Sequence, residues 1–371
     1  MSDKIDLRFG SNDVRLSPRE WVIALAIILA VLGLAPLVWP FVEPLHIEPD
    51  HRLPFRLGND YYTYGRLCRA AAAQGRTLVV GDSVVWGHYV PKEETLSAHL
   101  NRLDGREDFA NLGVDGIHPA AMLGLMDHYG HAIRNRNVVL HCNLLWTGSA
   151  RHDLSTEKEF AFNHPTLVPQ FSPRIPCYRE PFGERLGIVI ERRLPFHAWK
   201  KHLQIAWFSG SDLASWTLEH PYDCPVEAVT LQLPSPNEPP SPRPDARPWT
   251  EQGITKQGFA WVELDTSLQW RFFRETVELL RGRGNRLFVL VGPFNEHMLT
   301  DDSRQVYADR KQVVEDWLKA NGIPHFLPDP LPSALYADAS HPLAEGYKLL
   351  AKQIFDNAAF IRFTHSEKGT P

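Results

Sequence analysis

Short apolar runs alternate with segments of helical spacing along most of this chain, and no other feature constrains its fold as strongly. The runs are typical of buried strands and lie at 76–81, 108–113, 138–143, 286–292 and, in a shorter form, 325–327. The segments of helical spacing are 61–74, 95–103, 119–134, 268–281, 303–321 and 342–358. A repeated strand–helix order with continuously apolar strands is typical of a parallel sheet covered by helices on both faces. We therefore predict an α/β domain with three layers.

A long proline-rich stretch at 146–262 interrupts this alternation and is interpreted as an insert in the domain. Its most proline-rich part, 234–248, is expected to be extended, because proline disrupts helix interiors. One or two helices are expected at 186–208, where basic and apolar residues are mixed. Such a helix can lie on a membrane surface or pack on the domain, and packing is the favoured interpretation.

The N-terminal part of the chain contains an uncharged apolar stretch, Trp21 to Val42. As a helix with a rise of 1.5 Å per residue it extends about 33 Å, which is enough to cross the hydrocarbon core of a bilayer. A secretory signal is the alternative, but its apolar core is normally shorter. We therefore predict an uncleaved transmembrane anchor.

Basic residues precede this stretch at Lys4, Arg8, Arg15 and Arg19. The positive-inside rule then predicts a single-pass protein of the inner (cytoplasmic) membrane. Its N-terminus would be cytoplasmic and its folded domain periplasmic or extracellular. The predicted organisation is a cytoplasmic segment (1–20), a transmembrane anchor (21–42), a stalk (43–60), a domain with its insert (61–363) and a flexible tail (364–371).

The composition excludes several classes of function. Hydrophobic residues make up 43% of the chain and charged residues 22%, a balance typical of a globular core. The net charge of −5 does not suggest a nucleic-acid partner, which usually needs a basic face, although local patches can differ from the total and an acidic polymer stays possible. The four cysteines form no Cys-x-x-Cys pair, which argues against a zinc or redox motif. Whether Cys177 and Cys224 form a disulfide stays open.

Polar residues stand where the predicted strands end, which is where parallel sheets bind ligands. Ser83 follows the first strand, Gly116 the second and Asn143 the third, while Asp338 and His341 follow the fifth. A serine hydroxyl needs a base to become a nucleophile, and an imidazole oriented by a carboxylate is such a base. Ser83, His341 and Asp338 are therefore candidates for nucleophile, base and orienting acid.

Three groups are candidate donors for an oxyanion hole: the backbone amides of Ser83 and Gly116 and the side-chain amide of Asn143. Gly113 competes with Gly116 for this role, and Gly116 is favoured. This chemistry is acyl transfer through a serine and requires no metal and no organic cofactor.

Four blocks carry a resemblance to a known superfamily: Gly81-Asp82-Ser83, Gly116, Asn143 and Asp338-x-x-His341. Their order and placement resemble those of the SGNH (GDSL) hydrolases. The resemblance covers 76–146 and about 266–358, and it implies a flavodoxin-like three-layer fold and a serine hydrolase or acyltransferase. One block departs from the family pattern, because His141-Cys142-Asn143-Leu144 replaces the usual Gly-x-Asn-Asp. A membrane anchor with a long insert is similar to SGNH proteins of envelope polysaccharide O-acetylation.

Each candidate also has a structural interpretation. Ser83 and Asp338 can each cap a helix. Asn295 and His297, which follow the fourth strand, can bind substrate or belong to an ordinary capped loop. His88 and His141 are expected to be structural or to shape the substrate site.

The sequence thus leads to three functional hypotheses. The first is a serine esterase or O-acyltransferase, acetyl being the favoured group, that acts on an envelope polysaccharide or glycolipid. Its partners would be an acyl-ester donor, a carbohydrate acceptor and an envelope export or acyl-transfer membrane complex. The second is a catalytically inactive module that binds glycan or scaffolds such a complex. The third is a lipase or thioesterase.

Overall fold

The protein is described by a computed structural model over residues 16–238 and 246–365. The chain divides into two compact units, Met1–Pro44 and Leu45–Pro371. The described part of the first unit is a single helix, α1 (Pro18–Val42), which Ser17 and Glu20 start with a reciprocal capping box. Among the described residues, α1 is the only helix whose length and apolar composition would allow it to cross a membrane. Three of the basic residues used to predict orientation, Lys4, Arg8 and Arg15, lie outside the described residues.

The second unit contains a five-stranded parallel sheet, as predicted. Its strands are β1 (Thr77–Gly81), β2 (Phe109–Gly113), β3 (Asn137–Cys142), β4 (Arg286–Val291) and β5 (His325–Phe326). Their order across the sheet is β2-β1-β3-β4-β5, and every neighbouring pair is parallel. The α/β architecture expected from the alternation is therefore confirmed.

The helices of this unit cover both faces of the sheet. They are α2 (Tyr61–Ala73), α3 (Ser83–Trp86), α4 (Leu96–Asp104), α5 (Pro119–His128), α6 (Phe182–Glu191), α7 (Pro195–Trp207), α8 (Leu213–Glu219), α9 (Pro225–Ala228), α10 (Leu268–Gly282), α11 (Asp301–Ala320), α12 (Ala344–Phe355) and α13 (Ala358–His365). Residues of α2, α5, α10 and α11 share one apolar cluster with one face of the sheet. Residues of α4, α12 and α13 share another cluster with the opposite face.

Successive residues of a strand belong alternately to the first and the second apolar cluster. Leu78 and Val80 of β1 belong to the first cluster, whereas Val79 between them belongs to the second. Side chains alternate across a strand, so a strand that is apolar at every position is buried on both faces. This is why the strands read as unbroken apolar runs.

The insert at 146–262 is more ordered than its composition suggests. One or two helices were expected at 186–208, and two are present, α6 and α7, of which α6 begins four residues earlier. The buried His202 of α7 pairs with Asp60 at the start of α2, with 2.7 Å between Nδ1 and Oδ2. Part of the proline-rich segment, 239–245, lies outside the described residues. Cys177 is buried and Cys224 exposed, and both are free thiols, so no disulfide joins them.

Part of the predicted stalk belongs to the folded unit. Leu53 and Leu57 are at most 1% exposed. The Arg52 guanidinium lies 3.9 Å from the ring centre of Trp86 and donates to the carbonyls of Trp86 and Gly87. Arg52, which lies in the predicted stalk, is thus buried in the folded unit, where its guanidinium finds carbonyl acceptors and an aromatic face. At the other end, α13 continues to His365, beyond the predicted boundary at 363.

Candidate active site

Ser83 lies where β1 ends and the short helix α3 begins. Asp82 caps that helix by accepting the Val84 N–H at 3.0 Å. The preceding Gly81 leaves room for close packing, since a Cβ there would lie 2.4 Å from Val85 and 2.7 Å from His141. The strand end and the cap together fix the backbone that presents the Ser83 hydroxyl.

The structure brings the three predicted triad residues together. His341 Nε2 is 2.7 Å from Ser83 Oγ. His341 Nδ1 is 2.8 Å from both carboxylate oxygens of Asp338. A carboxylate only accepts hydrogen bonds, so Nδ1 carries the proton and Nε2 accepts from the serine hydroxyl. This is the hydrogen-bond order that a serine nucleophile and its base require.

The carboxylate of Asp338 is itself held in place. Its Oδ1 accepts the backbone N–H groups of Ser340 and His341 at 3.0 Å, and the Tyr89 hydroxyl donates to its Oδ2 at 3.1 Å. Burial alone would raise the pKa of Asp338, but His341 and these donors lower it well below its usual range. Asp338 is therefore ionised wherever the protein is folded near neutral pH.

Burial disfavours the charged form of His341, but the Asp338 carboxylate outweighs that effect and raises the His341 pKa above its ordinary value. The more distant carboxylates of Asp82 and Asp115 act in the same direction. A raised pKa makes the imidazole a stronger base for the serine proton. It also means that the base is neutral only at a higher pH than an ordinary histidine requires.

The structure distinguishes the two candidate glycines. The Gly113 amide donates to the Asn111 side chain at 3.0 Å, and a Cβ at Gly113 would lie 2.3 Å from the Trp86 backbone nitrogen. Gly113 is thus a packing position. Gly116 has a φ of +70°, and within the described ranges no acceptor is found for its N–H. Of the two, Gly116 has the amide that remains available for an oxyanion.

Asn143 is not the free donor that the sequence suggested. One N–H of its side-chain amide donates to Asp82 Oδ2 at 2.8 Å, and its carbonyl oxygen accepts the Leu145 N–H at 3.0 Å. The side-chain amide carries two N–H groups, so the second can still serve an oxyanion. Asp82 therefore fixes the orientation of this candidate donor.

Asp82 is the centre of a buried polar cluster that sequence reasoning missed. Besides Val84 and Asn143, the Trp146 indole donates to its Oδ2 at 3.0 Å, and His141 Nδ1 lies 3.1 Å from its Oδ1. Burial would raise the Asp82 pKa, but His141 and the surrounding donors lower it to about 2. Nothing in the sequence connects Asp82 with His141, which stands at the divergent position of the third block.

Asn295 and His297 support the loop that carries Asp338. The side chain of the fully buried Asn295 donates to the Asp338 carbonyl at 3.1 Å, and its backbone N–H bonds the Ala339 carbonyl. His297 Nε2 lies 3.0 Å from the Leu331 carbonyl. These contacts are with backbone rather than with the reacting groups, so the structure favours the loop interpretation over substrate binding.

A second imidazole–carboxylate pair adjoins the triad. His88 Nδ1 lies 2.6 Å from Asp115 Oδ1, and the His88 ring centre is 5.3 Å from that of His341. Both side chains of the pair remain partly exposed. The signal available in the sequence was the position of both residues shortly after a strand end.

No protein-family model matches the chain, and no curated protein matches it either.

Proposed function

We propose that this protein is a serine-dependent esterase or O-acyltransferase that carries an acyl group, most simply acetyl, on Ser83. The observation that carries the proposal is the hydrogen-bonded series from Ser83 Oγ through His341 to Asp338. A nucleophile, a base and an orienting acid in this geometry perform acyl transfer on several unrelated folds. The complete series also argues against the inactive module.

The reaction follows from the contacts of the site. Ser83 Oγ attacks the carbonyl carbon of the donor ester while His341 Nε2 takes the hydroxyl proton. The negative oxygen that forms is stabilised by the amides of Ser83 and Gly116 and by the second N–H of Asn143. When the intermediate collapses, the bond to the donor oxygen breaks and His341 protonates the departing alcohol. The acyl group is then an ester of Ser83.

The second half of the reaction reverses these steps with another hydroxyl. Water or a carbohydrate hydroxyl attacks the acyl carbon, its proton passes to His341, and the bond to Ser83 Oγ breaks as the serine regains that proton. Hydrolysis and transfer differ only in this incoming hydroxyl. We propose transfer to a glycan as the principal reaction.

The fold and the motifs support an SGNH type of enzyme. The strand order β2-β1-β3-β4-β5 is the order of flavodoxin-like sheets. Ser83, Gly116, Asn143 and His341 stand after β1, β2, β3 and β5, as the resemblance implies. The apolar helix α1 is consistent with an enzyme held at the inner membrane with its catalytic unit in the periplasm.

The proposal is tested by the kinetics with which the protein cleaves a chromogenic ester. Purified full-length protein in detergent, mixed with p-nitrophenyl acetate, is expected to release a burst of nitrophenol equal to the enzyme concentration. Ser83→Ala should lower the rate by at least about 10⁴-fold, whereas Ser235→Ala, at an exposed serine, should not. A wild-type protein without a burst, or a Ser83→Ala protein that keeps it, would contradict the proposal.

A further inference from the structure

A large cleft opens beside the candidate active site. Its volume is about 910 Å³, and helices α2, α6 and α7 of the second unit contribute to its walls. Aromatic side chains form much of its lining: Phe55, Tyr61, Tyr62, Tyr129 and Phe162. Rings of this kind offer flat apolar faces with polar edges, which suit the faces of sugar rings. The lining does not include Ser83 or His341.

The cleft reaches the triad through the loop after β2. Asp115 and Asn163 line it. The Asn163 side chain donates to the Gly116 carbonyl at 3.3 Å, and the Asp115 carboxylate holds His88. The wall of the cleft is therefore continuous with the loop that offers the Gly116 amide. A chain lying in the cleft would therefore contact Asp115, the partner of His88.

His88 has a defined hydrogen-bonding role at this junction. Because the Asp115 carboxylate only accepts, Nδ1 of His88 carries the proton and the neutral ring keeps its lone pair on Nε2. His341 likewise has its lone pair on Nε2, and the two ring centres are 5.3 Å apart. Two adjacent acceptors of this kind suit a sugar with neighbouring hydroxyl groups, one of which attacks while the other donates to His88.

The charges of the cleft favour an acidic chain. Four basic side chains line it, Arg56, Arg192, Lys200 and Lys201, against two acidic ones. Asp115 contacts His88, Glu191 lies 3.4 Å from His197, and Arg56 lies 3.8 Å from Glu238. Lys200 and Lys201 are exposed on α7, and Arg192 donates to the carbonyls of Thr166 and Val168. The lining thus has two more basic than acidic side chains, in a protein whose net charge is −5.

We propose that this cleft is the acceptor site, that it binds a carbohydrate chain bearing acidic groups, and that His88 accepts a hydrogen bond from the hydroxyl next to the attacking one. The inference deepens the proposed function and rests on it for the catalytic role of the acceptor. The binding of the chain can be tested separately from catalysis.

The binding test uses the full-length Ser83→Ala protein, which cannot form an acyl-enzyme. The probes are a hexamer of galacturonic acid and the same hexamer reduced at its carboxyl groups. Adding Lys200→Glu with Lys201→Glu should weaken binding of the acidic hexamer about tenfold, as expected for the reversal of two exposed charges. Lys319→Glu with Lys352→Glu, at exposed lysines outside the cleft, should leave it unchanged. Equal affinities for the two hexamers, or equal losses in the two double variants, would overturn the proposal.

The catalytic test uses p-nitrophenyl acetate as donor and the acidic hexamer as acceptor, with the acetylated hexamer measured by mass spectrometry. His88→Ala should raise the acceptor KM about tenfold, several times more than it changes the burst rate constant. His88→Gln, whose carbonyl oxygen can replace Nε2, should restore most of the affinity. His88→Asn, which can replace only Nδ1, should not.

The outcomes separate the two proposals. Rescue by Asn rather than Gln, or an unchanged KM in His88→Ala, would show that His88 only supports Asp115 and would overturn its assigned role. Absence of a burst in the wild-type protein would instead refute the proposed function. The affinities measured with Ser83→Ala would then still decide whether the cleft binds an acidic glycan.

Discussion

Replacing Asp82 by asparagine should weaken both the stability and the acylation rate of the protein. The Asp82 carboxylate accepts three hydrogen bonds: Oδ1 accepts the Val84 N–H, and Oδ2 accepts the Asn143 amide and the Trp146 indole. An asparagine has one carbonyl oxygen and one NH₂ group. Whichever way its side chain is oriented, the NH₂ group opposes at least one buried donor, and the remaining bonds no longer go to a charged group.

The magnitude follows from these contacts. A hydrogen bond to a charged group contributes about 1.5 to 3 kcal/mol, so the loss of at least one lowers the free energy of unfolding by at least about 1.5 kcal/mol. In a unit of this size, 1 kcal/mol corresponds to about 2 °C in Tm, so we expect a decrease of at least about 3 °C. Asn143 also loses the charged acceptor that orients it. If its second N–H serves the oxyanion, the burst rate constant should fall about 10² to 10³-fold.

The assay combines thermal unfolding of the full-length protein in detergent with the p-nitrophenyl acetate burst. Asp329→Asn, which removes the charge of an exposed aspartate, is the matched control and should change neither quantity. An Asp82→Asn protein that melts within 2 °C of the wild type, a limit of about 1 kcal/mol, would refute the claim that this cluster stabilises the fold. A large loss of stability with an unchanged burst rate constant would refute the link from Asp82 through Asn143 to the oxyanion.

Three further predictions concern other parts of the molecule. Because the His341 pKa is raised and the base must be neutral, kcat/KM for the ester should increase with pH through a midpoint above 6.5. Asp338→Asn should shift that midpoint downward and lower kcat about 10⁴-fold. An unshifted midpoint would contradict the role of Asp338. Gly113→Ala should destabilise the protein by about 1 to 3 kcal/mol, since its Cβ would meet the Trp86 backbone. Gly183→Ala, with open space around the added Cβ, should not destabilise it. Equal melting temperatures of the two variants would count against this packing. In the native protein only the exposed Cys224 should react rapidly with iodoacetamide. Mass spectrometry should find the buried Cys68, Cys142 and Cys177 alkylated only after unfolding. If any of these cysteines in the unfolded protein resisted alkylation until a reductant was added, the assignment of free thiols would be contradicted.

Much of the fold was predictable because its signals are local. The strands are apolar runs buried on both faces, and the polar residues that end them had to meet at one edge of the sheet. The proximity of Ser83 and His341 was therefore predictable although 258 positions separate them. It also placed Gly116 and Asn143 after the neighbouring strands.

The rest depended on contacts that one sequence does not reveal. Asp82 and His141 each resemble common structural residues, and their pairing exists only because β1 and β3 are adjacent. The same holds for Arg52, which lies in the predicted stalk but stacks on Trp86. The side-chain amide of Asn143 was predicted to be an oxyanion donor, yet its orientation is set by Asp82, which is distant in sequence. Pairings of this kind arise from tertiary packing, which local patterns do not encode.

The most direct test of the central claim is covalent labelling with a fluorophosphonate followed by peptide mapping. Such probes react with a serine whose hydroxyl is activated by a neighbouring base. The 2.7 Å contact between His341 Nε2 and Ser83 Oγ predicts a single adduct on Ser83, lost in His341→Ala as well as in Ser83→Ala. An unlabelled wild-type protein, or an adduct on any other serine, would contradict the account.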